Sequence, residues 1–194
     1  MIVAVVLAAG TSERLGQPKQ LLELEGKPLL QHAVHRAAAH FDKVVVVLGH
    51  EAEAIEAALR LPVGTRTDRN ERFAEGQHGS VRVGFAAATA DGVDVALLLG
   101  DQPFVEDDLI TRTVERFRSS TAEVVRPRHG EAPGHPVLVR AETAARLAAG
   151  GDEQLGPALR GPRVEWIDGG PDAPADVDTW EAYEALRAAR GSGS

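Results

Sequence analysis

Three short apolar segments stand out in the pattern of hydrophobic and polar positions along the chain: residues 2–7, 44–48 and 93–99. They are rich in valine and leucine and do not alternate with polar residues, which is typical of strands buried on both faces of a parallel sheet. Between them, alanine-rich amphipathic stretches predict helices at residues 29–40, 52–59 and 80–89. Strands that alternate with helices indicate βαβ units and a doubly wound sheet.

Shorter elements of the same two kinds fill the second half of the chain. We predict helices at residues 109–118, 142–149 and 179–190, and strands at residues 123–126, 136–140 and 163–167. No internal repeat or linker interrupts this pattern, and 194 residues fit one domain. The sequence therefore predicts one α/β domain over residues 1–190, with a mostly parallel, Rossmann-like sheet flanked by helices. Residues 191–194 form a Gly-Ser sequence that we interpret as a flexible tail of the kind left by cloning.

Composition narrows the classes of partner. The chain has no cysteine, which excludes disulfides and thiolate chemistry and fits a reducing compartment. A net charge of −8 argues against binding to nucleic acid or to anionic lipid. No apolar segment reaches the roughly 20 residues of a membrane helix, and the apolar start lacks a basic leader. We therefore expect a cytoplasmic protein with no nucleic-acid or membrane partner.

Small and basic residues follow the first predicted strand, where open α/β sheets bind ligands. Residues 7–19 have the sequence LAAGTSERLGQPK, in which Gly10 allows a close backbone approach and backbone amides can surround phosphate oxygens. Arg14 can bind phosphate through two hydrogen bonds, and Lys19 adds a mobile positive charge. Ser12 occupies a position that a dinucleotide fingerprint reserves for glycine, and the P-loop spacing is absent. An ordinary βα turn with two surface cations fits the spacing equally well.

Two acidic positions are candidate metal ligands. Asp101 comes two residues after the strand at residues 93–99 ends, and residues 106–108 can cap the next helix without it. Magnesium usually takes one or two carboxylates together with substrate phosphates. Asp176 and Asp178 would point to the same side of an extended segment before the last helix. Asp178 could instead be the N-cap of that helix.

Two further segments carry glycine and polar residues. Gly76 and Ser80 precede or begin a predicted helix, where Ser80 could serve simply as the N-cap. His135 stands between glycine and proline, and a lone histidine is more often structural. The remaining histidines lack the spacing of a zinc site.

The stretch LAAGTSERLGQPKQLL closely resembles the signature loop of the molybdenum cofactor nucleotidyltransferases, a group within the sugar and isoprenoid nucleotidyltransferases. This resemblance implies a fold like that of the nucleotide-diphospho-sugar transferases. It also implies that one set of loop residues lies beside the base and another beside the phosphates: Leu7, Ala8 and Ala9 for the base, and Gly10, Ser12, Arg14 and Lys19 for the phosphates. Ala9 stands where the guanylyltransferases usually carry glycine, and the smaller space implies CTP.

The resemblance extends to the later motifs. Asp101, within Asp-Gln-Pro, matches the metal-binding aspartate, and Asp178 matches the second aspartate of an Asp-x-Asp-Thr motif. Gly76 and Ser80, together with an upstream asparagine, match residues that contact the base. Gln102 and His135 fall on the side of the second substrate. The match is weakest at residues 150–161, where Asp152 is only a weak candidate.

The resemblance thus implies an Mg²⁺-dependent enzyme that transfers CMP from CTP to the phosphate of molybdopterin and releases pyrophosphate. Arg14, Lys19 and Asp101 are then the expected catalytic residues, with Asp101 and Asp178 as metal ligands. A molybdoenzyme or its maturation chaperone is the implied partner. Three alternatives stay open: a guanylyltransferase, an isoprenoid-type cytidylyltransferase, and a catalytically silent nucleotide-binding maturation factor.

Overall fold

The structure is a computed structural model, and it describes residues 1–89, 92–150, 154–174 and 176–191. Eight strands form the main sheet: β1 (Ile2–Ala8), β4 (Lys43–Leu48), β5 (Thr65–Arg69), β6 (Asp94–Leu99), β7 (Val124–His129), β8 (Ala132–Pro133), β9 (Val137–Val139) and β10 (Val164–Asp168). A small antiparallel hairpin contains β2 (Glu23–Leu24) and β3 (Lys27–Pro28). The helices of the described residues are α1 (Leu29–His40), α2 (Ala52–Ala58), α3 (Gln77–Thr89), α4 (Asp107–Ser119), α5 (Ala141–Ala149), α6 (Leu155–Arg160) and α7 (Trp180–Gly191).

The strand order confirms the predicted fold class. The main path of the sheet runs β10-β7-β9-β6-β1-β4-β5, and β8 pairs with β7. Four pairs are parallel, namely β1 with β4, β1 with β6, β4 with β5, and β7 with β10. Strand β9 is antiparallel to both β6 and β7. The result is a mostly parallel mixed sheet in which β6 stands at the middle of the path, with β1 beside it.

Both faces of the sheet are covered by helices, which explains why the strands show no polar alternation. On β1, Ala4 and Val6 belong to a cluster that includes residues of α1 and α4. Val3, Val5 and Leu7 belong to a second cluster with residues of α3 and α5. Because each face of β1 is buried, every position along it favours an apolar side chain.

The sequence pattern missed β5, α6, the hairpin β2–β3 and the two-residue strand β8. Strand β5 has the sequence TRTDR and lies at the edge of the sheet, where polar residues are favoured because one side remains open. Helix α6 contains Gly156 and Pro157, which have poor helix propensity. The hairpin β2–β3 has two residues in each strand, which is too short for any periodicity.

Some predicted boundaries also shift. Helix α3 begins at Gln77 instead of Ser80, and β7 continues to His129. Asp152 and residues 192–194 of the predicted tail lie outside the described residues. No helix in the described part of the chain is long and apolar enough to cross a membrane.

Candidate active site

The central cleft opens where β1 and β6 end side by side. Leu7 and Leu99 are register partners, and the backbone N–H of Gly100 donates to the carbonyl of Leu7 at 2.8 Å. The cleft has a volume of about 370 Å³. Eight of the predicted site residues line it: Leu7, Ala8, Ala9, Gly10, Lys19, Gly76, Ser80 and Asp101. This is the edge of an open α/β sheet at which ligands bind.

The loop after β1 is held in shape by a buried glutamine that sequence reasoning missed. Gln20 is 3% exposed, and its Nε2 atom donates to the carbonyls of Ala8 at 2.9 Å and Gly10 at 3.2 Å. Ser12 adopts a left-handed conformation, with φ of 56°, and its Oγ accepts a hydrogen bond from the backbone N–H of Lys19 at 3.1 Å. Ser12 therefore shapes the loop and lies outside the residues that line the cleft.

Gly10 faces open space in this loop. A Cβ atom built on Gly10 would meet nothing within 4 Å, and the backbone there does not have a positive φ. Neither packing nor backbone conformation therefore requires glycine at this position. A glycine with free space in front of it suits a ligand that comes close to the backbone.

Lys19 connects the two predicted metal ligands. Its Nζ atom lies 2.6 Å from Oδ2 of Asp101 and 2.5 Å from Oδ1 of Asp178. Burial lowers the pKa of Lys19, but the charges and hydrogen bonds of the two carboxylates outweigh this effect and raise the pKa above its ordinary value. The lysine is therefore an ammonium cation, and the two carboxylates converge on one positive charge.

The same carboxylates fit a divalent cation. The Oδ1 atom of Asp101 is buried without a hydrogen-bond partner, which leaves one oxygen of this carboxylate available to a ligand. In the described residues no group of three or more histidine, aspartate or glutamate side chains is arranged to hold a metal. Two carboxylates suffice for Mg²⁺ only when substrate oxygens complete its coordination. A metal at this position would therefore bind together with a phosphorylated substrate.

The segment before α7 brings Asp178 to the cleft. Val177 is fully buried, and its N–H donates to the carbonyl of Asp101 at 3.3 Å. Gln102 donates from Nε2 to Oδ1 of Asp176 at 2.7 Å. The hydroxyl of Thr179 accepts the backbone N–H of Ala182 and so caps α7, which leaves Asp178 free of the capping role. Gln102 thus contacts the acidic segment and does not line the central cleft.

Asp176 is the third carboxylate of this region. Desolvation raises its pKa, the hydrogen bond from Gln102 opposes that shift, and the negative charges of Asp101 and Asp178 add to it. Burial is therefore the main cause of the raised pKa, and the two neighbouring carboxylates add a smaller contribution.

Arg14 lies apart from these contacts. It belongs to a short 3₁₀ helix, Glu13–Leu15, and its side chain is exposed. Within the described residues it takes part in no hydrogen bond or ion pair, and it does not line the cleft. Its predicted role depends on a ligand that reaches the loop.

The start of α3 forms the opposite wall of the cleft. Ser80 is 4% exposed and lies inside the helix, so the interpretation of Ser80 as an N-cap is wrong. Its Oγ accepts a hydrogen bond from Nδ2 of Asn70 at 2.9 Å. The Oδ1 atom of Asn70 in turn accepts the N–H of Arg72 at 3.0 Å. Asn70 therefore connects the loop after β5 to the helix beside the cleft.

His135 lies in a second cavity of about 210 Å³, which shares the lining residues Leu7, Gln77 and Leu99 with the central cleft. The Nδ1 atom of His135 is buried without a hydrogen-bond partner. Burial, together with the positive charges of Arg126 and Arg160, lowers the pKa of His135 to about 3. The structure thus separates His135 from Asp101, and it adds two arginines that sequence reasoning missed because neither belongs to a recognisable motif.

The sheet is mostly parallel, its central strands end at a cleft, and a lysine lies there between two carboxylates. These features define the class of nucleotide-binding α/β proteins. The chain belongs to the family of the MobA-like NTP transferase domain, which matches residues 4–165. It is a nucleotidyltransferase of that family.

Curated relatives share part of the chain. The protein GlmU of a Ruegeria species, described as bifunctional, is 37% identical over 119 residues, which are 57% of this chain and 25% of that protein. The bifunctional enzyme IspD/IspF of Rhodospirillum rubrum is 31% identical over 154 residues, covering 77% of this chain and 37% of that protein. The matched regions span about a quarter of the first relative and little more than a third of the second.

Solved structures match over nearly the whole length. The crystal structure of Rv0371c from Mycobacterium tuberculosis H37Rv has a TM-score of 0.80 and 33% identity, and the match covers 96% of this chain and 97% of that one. A complex of the same protein with manganese has a TM-score of 0.76 and 29% identity, with coverage of 96% and 98%.

Proposed function

We propose that this protein is a Mg²⁺-dependent cytidylyltransferase that transfers CMP from CTP to the phosphate of molybdopterin and releases pyrophosphate. The observation that carries the proposal is the ammonium group of Lys19 between Asp101 and Asp178, at the ends of β1 and β6. The family of NTP transferases supports the reaction class, and the loop of residues 7–22 supports the molybdenum cofactor branch. In this proposal residues 1–190 form the catalytic domain.

The reaction exchanges one bond to phosphorus for another. An oxygen of the acceptor phosphate forms a bond to the α-phosphorus of CTP, and the bond from that phosphorus to the β-phosphate oxygen breaks. Pyrophosphate leaves with the electron pair. Because the attacking phosphate is already anionic at neutral pH, no side chain is needed as a general base. Catalysis then consists of positioning and charge neutralisation.

Each candidate side chain has one task in this scheme. Asp101 and Asp178 would hold Mg²⁺, which when bound neutralises charge on the phosphates that react. The loop amides around Gly10 bind phosphate oxygens, and the free space at Gly10 supports this role. Lys19 and Arg14 neutralise the leaving pyrophosphate, and Arg14 has no ion pair within the described residues to prevent it.

The choice of CTP rests on one wall of the cleft. Ala9 is 7% exposed and lines the cleft with Phe73. A Cβ built on Gly49 would lie 2.9 Å from the Ala9 methyl and 2.6 Å from Cβ of Phe73, so Gly49 permits this wall to pack closely. A glycine at position 9 would widen the space beside the base, which suits a purine. The methyl group therefore supports a pyrimidine.

The product would be a dinucleotide form of the cofactor, and its recipient would be a molybdoenzyme or the maturation chaperone of that enzyme. Such delivery takes place in the cytoplasm and needs neither nucleic acid nor a membrane.

The deciding experiment measures pyrophosphate release from ATP, CTP, GTP and UTP, each with and without molybdopterin. We expect release with CTP that depends on molybdopterin, and none from an Asp101→Asn control. Equal or faster release with GTP would indicate a guanylyltransferase. Binding of CTP without release from any nucleotide would indicate a silent maturation factor. Release that depends on a methylerythritol phosphate instead of molybdopterin would indicate the isoprenoid branch.

A further inference from the structure

Lys19 holds its ammonium group between two carboxylates that come from distant parts of the chain. Its Nζ atom lies 2.6 Å from Oδ2 of Asp101 and 2.5 Å from Oδ1 of Asp178, at the short end of the range for charge-assisted hydrogen bonds. The side chain of Lys19 is 13% exposed and that of Asp101 is 21% exposed, so water screens their contact only in part. The two carboxylates therefore have a cation of the chain's own.

A divalent metal would need the same carboxylates. Mg²⁺ takes carboxylate oxygens as direct ligands. Oδ1 of Asp101 is buried without a hydrogen-bond partner, whereas Oδ2 is bonded to the lysine. A doubly charged ion in contact with both Asp101 and Asp178 comes close to Nζ, and two cations that are only partly screened repel each other strongly. The ammonium group and a metal therefore compete for this pair of side chains.

The backbone of Lys19 is fixed, whereas its side chain can turn. The backbone N–H donates to Oγ of Ser12 at 3.1 Å, and the carbonyl accepts the N–H of Leu22 at 3.1 Å. The Nζ atom stands at the end of a flexible four-carbon stem. Because Lys19 lines the central cleft together with Gly10 and Thr11, rotation of this stem can carry the ammonium group to phosphates that lie against Gly10, while the loop keeps its shape.

The charges favour such an exchange of partners. With the ammonium group on Asp101 and Asp178, one positive charge meets two negative charges. A divalent cation would neutralise both carboxylates and release the lysine for the negative charges of a triphosphate. Nucleotide phosphates thus offer the ammonium group a new counter-charge, and they also supply the oxygens that complete the coordination of Mg²⁺.

We propose that Lys19 is an internal counter-ion that makes metal binding depend on nucleotide. Its ammonium group neutralises Asp101 and Asp178 before the substrate binds, and it moves to the triphosphate when the nucleotide binds together with the metal. The inference rests on the proposed function, because it takes these two carboxylates as metal ligands. It depends neither on the base of the nucleotide nor on the acceptor. A lysine that stays on the carboxylates in every state is the alternative.

The first test measures the binding of Mn²⁺ without nucleotide, from the paramagnetic resonance signal of the unbound ion. The test variant is Lys19→Met, which keeps an unbranched, flexible side chain and removes the charge. Lys19→Arg keeps the charge. The matched control is Lys27→Met, which removes the same charge elsewhere, because Lys27 is exposed on β3 and does not line the cleft.

We expect weak Mn²⁺ binding in the parent, in Lys19→Arg and in Lys27→Met. Lys19→Met should bind Mn²⁺ roughly tenfold more tightly, because a competing cation is lost. Adding Asp101→Asn to Lys19→Met should abolish this gain. Equal affinity in the parent and in Lys19→Met would overturn the proposal, and so would an equal gain in Lys27→Met, which would show an effect of net charge alone.

The second test follows the lysine itself in the parent protein. The chain has three lysines, Lys19, Lys27 and Lys43, so protein labelled with ¹³C-lysine gives three Cε signals, and the spectrum of Lys19→Arg identifies that of Lys19. One titration adds Mg²⁺ alone. The other adds Mg²⁺ with a CTP analogue in which a methylene group replaces the α,β-bridging oxygen, so that no transfer takes place.

We expect the Lys19 signal to shift with Mg²⁺ and the analogue together and to stay in place with Mg²⁺ alone. A signal that stays in place while the analogue is bound would overturn the proposal, as would one that shifts fully with Mg²⁺ alone. If the analogue does not bind at all, the proposed function fails, and the Mn²⁺ affinities still decide whether Lys19 competes with a metal.

Discussion

The Nζ atom of Lys19 lies 2.6 Å from Oδ2 of Asp101, although 82 positions separate the two residues in the sequence. The contact follows from the register of the sheet, in which Leu7 pairs with Leu99 so that the loops after β1 and β6 leave the sheet together. Any residue of the first loop that extends over the sheet edge meets the residues after β6. The proposed reaction would take place at this junction.

Asp101→Asn should abolish turnover and leave the fold intact. The amide keeps the shape of the side chain but removes the negative charge that a divalent cation needs. The measurement is CMP transfer at saturating Mg²⁺, together with a thermal melt. Asp108→Asn is the control, since Asp108 is an exposed aspartate of α4 paired with Arg112. Activity near that of the parent in Asp101→Asn would exclude the metal-ligand role.

Arg14→Ala should melt like the parent and react far more slowly. An exposed side chain without partners within the described residues usually changes stability by no more than about 0.5 kcal/mol. If Arg14 neutralises the leaving pyrophosphate, its loss should lower single-turnover rates roughly a hundredfold. Arg14→Lys should recover only part of the rate, because an ammonium lacks the two-pronged geometry. Unchanged turnover in the Ala variant would refute this role.

Ala9→Gly should shift nucleotide preference toward GTP. The change removes the methyl group of a residue that lines the cleft together with Phe73. The measurement is kcat/KM for CTP and for GTP in each variant. Ala74→Gly is the control, because Ala74 lines the same cleft and lies outside the loop after β1. The same preference in Ala9→Gly as in the parent would contradict the argument for CTP.

Gly10→Ala should weaken CTP binding, whereas Gly49→Ala should lower stability. A Cβ at Gly10 meets nothing within 4 Å, so Gly10→Ala should melt like the parent and bind CTP more weakly. A Cβ at Gly49 would lie 2.7 Å from the Ala9 carbonyl, so Gly49→Ala should cost stability, roughly 1–3 kcal/mol for overpacking. Melting curves and CTP titrations separate the two effects. Undiminished CTP binding in Gly10→Ala would mean that no phosphate approaches Gly10.

Asp176→Asn should raise stability at neutral pH. The pKa of Asp176 is higher in the folded protein than in the unfolded chain. The stabilising contribution of the Asp176 carboxyl is therefore complete below about pH 3.9, the ordinary pKa of aspartate. It is lost as the pH rises through the pKa that Asp176 has in the folded protein. Asparagine at position 176 keeps an oxygen that accepts the hydrogen bond from Gln102. Because it does not ionise, stability is no longer lost at this position as the pH rises. Urea unfolding should show the gain at pH 7 and none near pH 3, and a gain that persists at pH 3 would rule out the electrostatic cause.

The pattern of the chain was sufficient to predict the architecture. Uninterrupted Val- and Leu-rich segments are characteristic of strands covered on both faces, and the structure places them as β1, β4 and β6 at the centre of the sheet. Strand β5 lacks this feature and was not predicted, because an edge strand does not need apolar residues.

The sequence by itself determined which side chains follow β1 and β6, because chain connectivity sets the order of strand, loop and helix. Only the tertiary structure decided which of them meet. Asp178 reaches Lys19 because Val177 is buried against the loop after β6, and Ser12 points into its own loop because Lys19 and Gln20 bond to it. Arg126 faces a cavity that β7, β9 and α6 form together. Such contacts depend on strand register and loop packing over long separations in sequence, and local periodicity carries no information about them.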